Sequence, residues 1–167
     1  VAQAGLLGIS IPDEFGGPEM ANAAIADIVA ILAEADLIVG ESVRDHYRVL
    51  EALRLGGSHE QKNVFFTHAR AGEHFCLAIS NDSLDDSAVD TVRLTSDRTG
   101  YQLSGEVAWF ADSSPDWVVT AARDPTARTV LVFLDRTNQN LVASKPRIDA
   151  GPSRYPTALL DKMHVPI

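Results

Sequence analysis

Ala71-Gly72-Glu73-His74-Phe75-Cys76-Leu77-Ala78-Ile79 is the stretch at which this chain changes period. Gly72 is a punctuation residue. The apolar run Phe75 to Ile79 after it is short and bounded, the size of a strand and not of a helix. Upstream, Ser58 with Gln61 three residues on reads as a capping box opening a helix that runs to about Ala71. Gly56-Gly57 before it closes an earlier helix, Glu41 to Leu55, whose Val43, Tyr47, Leu50 and Leu53 recur at helical spacing. From Glu19 to Asp36 the apolar face is Ile25, Ile28, Val29 and Leu32, with Ile28 and Leu32 expected to face the core. Pro12-Asp13-Glu14-Phe15-Gly16-Gly17-Pro18 is a turn-rich loop.

Downstream the pattern is β. Val89, Val92 and Leu94 fall on one strand, with Thr91 and Arg93 between them. Tyr101-Gln102-Leu103-Ser104-Gly105 follows a Thr99-Gly100 turn. Trp117 to Ala122 and Thr129 to Leu134 are β-branched and apolar enough for central strands, and Leu159 to Val165 reads as a last one. Helices first and strands afterwards predict an α+β fold in two pieces. The expected boundaries are an N-terminal helical domain over 1–71, incomplete at its start, and an antiparallel, β-barrel-like domain over 72–167.

The bulk numbers narrow the function. The 167 residues suffice for one ordinary domain or two small ones, with 46% hydrophobic and 22% charged residues. A net charge of −9 repels phosphate backbones, so nucleic acid is not an expected partner. Cys76 is the only cysteine, which excludes an intrachain disulfide and fits a reducing, cytoplasmic setting. No apolar run reaches the roughly 20 residues of a membrane helix; the longest, Ala23 to Ala35, is broken by Asp27 and Glu34. Nothing basic precedes Gly5-Leu6-Leu7-Gly8-Ile9 as in a signal peptide, and Val1 and Ile167 both read as cut ends.

Six segments, in one order along the chain, resemble the acyl-CoA dehydrogenase superfamily. Ala4 to Gly17 is similar to that family's opening "GLLGI-x-VPEEYGG", and Leu55 to Lys62 to its "GSEEQK" helix start. Ala71-Gly72-Glu73 resembles "SGE", Gly100 to Gly105 resembles "G-x-Y-x-L-N-G", Pro115 to Val119 resembles "AD-x-x-VV", and Leu160 to Pro166 resembles "F-D-D-V-x-VP". Asp45-His46-Tyr47 and Ala78 to Asn81 are closer to the flavin-dependent monooxygenase branch, with its desulfurisation and sulfur-acquisition enzymes.

The resemblance implies a flavin, FAD or FMN, whose ring edge meets main-chain and hydroxyl groups at Ile79, Ser80 and Asn81 and an aromatic wall at Trp109, Phe110 and Ala111. His46 would line the substrate pocket; the alternative for it is a surface or interhelix histidine. The substrate would be a small molecule, an acyl thioester or a small organosulfur compound. No catalytic residue is assigned. The family's C-terminal helix bundle, which closes over the flavin, is not represented in the sequence, so flavin binding by this chain alone is expected to be weak or absent, with a homo-oligomer or a partner chain implied.

The family's flavin segments are also altered. Asn81 stands where the pattern has Glu, Val107 where it has Lys, and Ala111 where it has a hydroxyl. Asp82, Asp85 and Asp86 crowd a loop where a pyrophosphate wants N–H donors and positive charge. A second reading follows: a truncated, non-catalytic homologue that has lost flavin binding and acts as a structural or partner subunit. His59, His68 and His74 match no compact metal-ligand spacing and are expected to be solvated, with no metal site. Cys76 is expected to be buried filler. The acidic run Asp82 to Asp90 is expected to be a solvated loop.

Overall fold

The computed structural model describes residues 2–78, 92–96, 98, 100–108, 115–137 and 157–165, and in the last segment the burial of Leu160 alone. Three 3-10 turns (Ala2–Ala4, Leu6–Gly8, Asp13–Phe15) lead into α1 (Asn22–Ala35), α2 (Leu37–Gly56) and α3 (His59–Arg70). Among the described residues six strands follow: β1 (Phe75–Ala78), β2 (Arg93–Ser96), β3 (Tyr101–Ala108), β4 (Trp117–Arg123), β5 (Thr129–Asp135) and β6 (Thr157–Val165). The fold is α+β, helices before strands. Two compact units are present: Val1–Leu77 with Asp112–Trp117, and Ala78–Ala111 with Val118–Ile167.

In the first unit, α1 and α2 are separated by a single residue. Asp36 adopts an extended backbone (φ −156°, ψ 110°), and its Oδ1 accepts the N–H groups of Ile38 at 2.9 Å and Val39 at 3.2 Å. Those are two of the orphan donors of a new helix, so α2 begins at Leu37, four residues before the Glu41 expected from its apolar spacing. The two helices touch at Gly40, where a Cβ would lie 2.5 Å from Ala33 Cα; only a residue without one lets the backbones approach this far. Ile25, Val43 and Tyr47 form a buried cluster, with Val29 and Leu32 packed against it. Ile28 is half-buried.

The capping box of α3 has both arms: Ser58 Oγ accepts Gln61 N–H at 3.2 Å, and Gln61 Oε1 accepts Ser58 N–H at 2.9 Å. Cys76 is buried, as its apolar strand context implies.

In the second unit, β2 and β3 form an antiparallel hairpin (Leu94 opposite Leu103), and β3 pairs antiparallel with β6 (Tyr101 opposite Val165). The β3–β6 register shifts between Leu103 and Gly105, the signature of a bulge. β4 lies on the other edge of β2 and pairs with β5. The sheet is mixed and not purely antiparallel, because β4 meets β2 in parallel at Arg93 and Arg123. β2 thus lies between β3 and β4, antiparallel to the first and parallel to the second, so β4 is not the hairpin neighbour of β3. Val118 and Val119, adjacent in β4, are both fully buried. A strand buried on both faces reads as a continuous apolar run and not as an alternation.

Candidate functional site

The apolar stripe of α2 runs Val43, His46, Tyr47, Leu50, Leu53, and His46 falls in the middle of it. Helical spacing therefore carries an imidazole into the core of the first unit, where its exposure is 0%. A buried polar ring must find partners or cost free energy, and here both nitrogens have one. Nε2 lies 2.8 Å from the Leu7 carbonyl, which can only accept, so Nε2 carries the proton. Nδ1 then accepts the Phe75 N–H at 3.1 Å. One neutral tautomer satisfies both bonds. Burial lowers the pKa of His46 from 6.5 to about 3; the Leu7 carbonyl acts against this, and His74 adds to it.

His74 stacks on His46, ring centroids 5.6 Å apart at 18°. Its Nε2 is 3.2 Å from the Ser42 carbonyl, which fixes that nitrogen as the donor, and 3.0 Å from Ser42 Oγ. Burial lowers its pKa too, opposed by the Ser42 carbonyl, Asp116 and Asp45. The His74 main chain is held by Asp116: its N–H donates to Oδ2 at 2.8 Å, and its carbonyl accepts from Asp116 and Trp117 N–H at 2.9 and 3.1 Å. Beside His46, the Tyr47 hydroxyl donates to the Leu6 carbonyl at 2.6 Å, and burial raises the phenol pKa to about 12.

A second cluster in the same unit surrounds Trp117. Its ring stacks on Phe75 (6.0 Å, 12°) and takes the edge of Phe65 (5.4 Å, 88°). Its Nε1 donates to Glu73 Oε2 at 2.7 Å, and the other oxygen of Glu73 meets His68 Nδ1 at 2.9 Å. One carboxylate thus serves two rings.

Of the residues expected to form a site, His46 alone lies within the described part of the chain. Ile79, Ser80, Asn81, Trp109, Phe110 and Ala111 lie outside it, as do Asp82, Asp85 and Asp86. Val107, in the position of the pattern's lysine, is buried in the second unit. The expectation of three solvated histidines needs correction. His59 is exposed, but His68 is half-buried against Glu73 and Trp117, and His74 is largely enclosed between His46, Ser42 and Asp116. The missed signal was position: Glu73-His74 leads straight into the buried strand Phe75–Ala78, so a side chain there is drawn in with it. Among the described residues no group of three metal-ligating side chains occurs, and no helix is long and apolar enough to cross a membrane.

A three-helix unit followed by a mixed sheet is a fold that the chain shares with a solved acyl-CoA dehydrogenase. Residues 1–73 match the family model for the acyl-CoA dehydrogenase N-terminal domain, and the chain is a homologue of the acyl-CoA dehydrogenases. A mitochondrial isovaleryl-CoA dehydrogenase from Solanum tuberosum is 28% identical over 131 residues, covering 77% of this chain and 29% of that protein. The chain therefore spans less than a third of that relative's length. Among solved structures, methanesulfinate monooxygenase MsuC from Pseudomonas fluorescens superposes with a TM-score of 0.80 at 18% identity, covering 99% of this chain and 43% of that one. An acyl-CoA dehydrogenase complexed with FAD from Bacillus anthracis superposes with a TM-score of 0.76 at 20% identity, covering 99% and 30%.

Proposed function

We propose that this chain is the flavin-cradling part of an acyl-CoA dehydrogenase-like oxidoreductase, tilted towards a reduced-flavin monooxygenase. The observation that carries the reading is the recurrence of nearly the whole chain, helices and sheet in the same order, in a dehydrogenase complexed with FAD. The likeness to a methanesulfinate monooxygenase supports the tilt. A bound flavin, FAD or FMN, would supply the redox chemistry; the protein orients it and excludes competing reactions. The Ser80 hydroxyl and the main chain of Ile79 to Asn81 would meet the ring edge, and Trp109 and Phe110 would pack on it beside Ala111. The substrate would be an acyl thioester or a small organosulfur compound, in a cytoplasmic enzyme that works as a homo-oligomer or with a partner chain.

His46 enters this scheme as a packing residue. Both of its nitrogens are bonded to main-chain groups, which favours the interhelix alternative over a pocket wall.

A second reading, a homologue that has lost its flavin, is favoured by Val107. The position of the family's lysine is apolar and buried, and offers no charge to a cofactor. Titration with FMN and FAD separates the two, on the chain alone and with a relative's C-terminal helical domain supplied in trans. Binding of either flavin in the completed assembly, rising slightly with Ala111→Ser, supports the first reading. Binding of neither sinks it.

A further inference from the structure

Arg70, the last residue of α3, stands apart from the other arginines of the helical unit. Arg44 pairs with Glu41 at 2.6 Å, Arg48 with Asp45 at 3.5 Å and Arg54 with Glu51 at 2.6 Å. Among the described residues Arg70 forms no ion pair; one long bond, Nη1 to the Phe15 carbonyl at 3.3 Å, is its hydrogen bond. A guanidinium carries five N–H donors in a planar fork, so most of this one is uncommitted.

The side chain borders a pocket of about 180 Å³ walled largely by bare backbone at Gly5, Gly8, Gly16, Gly17 and Gly72. Gly16 leaves room for the fork, because a Cβ there would lie 2.7 Å from Arg70 Nη1. The N–H groups of Gly5, Gly16, Gly17 and Gly72 are already used by the turns they belong to, bonded to Ala2, Asp13, Pro12 and Ala69 carbonyls. Recognition of a guest therefore falls on the guanidinium, and the glycine walls offer Cα surface to a short carbon stem.

We propose that this pocket binds a small organic carboxylate, its two oxygens taken side by side by Arg70. A carboxylate matches one planar fork completely. Inorganic phosphate can also meet the fork through two oxygens, but it has no carbon stem to lay against the glycine walls.

The test is titration of the whole chain with propionate, followed through the Arg70 Nε–H resonance by NMR, with phosphate and chloride at matched ionic strength. A saturable shift in the low-millimolar range with propionate, and none with chloride, is the expected result. Arg70→Gln, followed through the Gly8 and Gly72 amide resonances that border the same pocket, should raise the half-saturation concentration by roughly tenfold or more. Gly8→Ala probes the volume without touching the charge: its Cβ would sit 3.8 Å from Arg70 Cα and Cγ, ordinary contact, so the fold tolerates it while the pocket narrows. Weaker propionate binding in Gly8→Ala supports the site even where Arg70→Gln fails to fold. A linear, unsaturable shift, an equal response to chloride or to phosphate, or unchanged binding in Gly8→Ala overturns it.

Discussion

Acidification should loosen the helical unit through His46, and the size of the effect follows from its surroundings. The imidazole is neutral in the fold, with a pKa held at about 3 against 6.5 in a solvated chain. A folded pKa below the unfolded one contributes stability that is present above pH 6.5 and is lost as pH falls towards 3. At about 1.4 kcal/mol for each pH unit below 6.5, the loss between pH 7.5 and pH 5 is about 2 kcal/mol, against a limit of about 5 kcal/mol at still lower pH. The geometry gives the cause: a proton added at Nδ1 would face the Phe75 N–H that this nitrogen now accepts. His74, whose pKa burial also lowers, works in the same direction. Asp116 and Asp45, the carboxylates acting on His74, oppose its share. The assay is urea unfolding at pH 7.5 and pH 5 in a Trp109→Phe background, where Trp117 alone reports on the helical unit. His46→Asn should be less stable at pH 7.5 by about 1–3 kcal/mol, since it leaves the buried Leu7 carbonyl without its donor, and should lose much of the pH slope. Equal stability at the two pH values, or a ¹⁵N spectrum showing the His46 ring protonated in the native state at pH 6, would refute the reasoning.

Three further outcomes are expected. Gly40→Ala should cost about 1–3 kcal/mol in thermal or urea unfolding, because its methyl group would sit 2.5 Å from Ala33 and force α1 away from α2. Ser58→Ala should cost about 1 kcal/mol by removing the acceptor of the Gln61 N–H, and Ser58→Asp should restore most of it. The Asp124 carboxyl, held at about 2 chiefly by the Thr126 hydroxyl in the β4–β5 turn, should titrate closer to its ordinary 3.8 in Thr126→Val, as read by ¹³C NMR.

Much of the fold was legible because its signals are local. Ser58 and Gln61 lie three residues apart and close on each other whatever the rest of the chain does. Gly72 divides two periods that only a helix and a strand satisfy. Asp36 was equally readable as a cap; the apolar spacing used to place the second helix starts only at Val43, so its first turn was left out. The flavin-edge set Ile79 to Asn81 and Trp109 to Ala111 was drawn from a resemblance, and rests on that and on the shared fold.

What the sequence determined by itself was the class of each element and the apolar stripe of each helix, since helical spacing needs no partner to be read; His46, next to Tyr47 of that stripe, stayed between a pocket wall and a surface or interhelix place. What only the tertiary structure decided was that His46 is buried and what it bonds to. Leu7 and Phe75, the two main-chain groups it joins, lie 39 and 29 residues away in the chain. The same holds for Trp117 on Glu73, 44 residues apart, and for the parallel meeting of Arg93 with Arg123. A backbone N–H or carbonyl carries no trace in the sequence of which distant side chain will take it. That choice is made when the packed elements bring one donor and one acceptor together and shut out water.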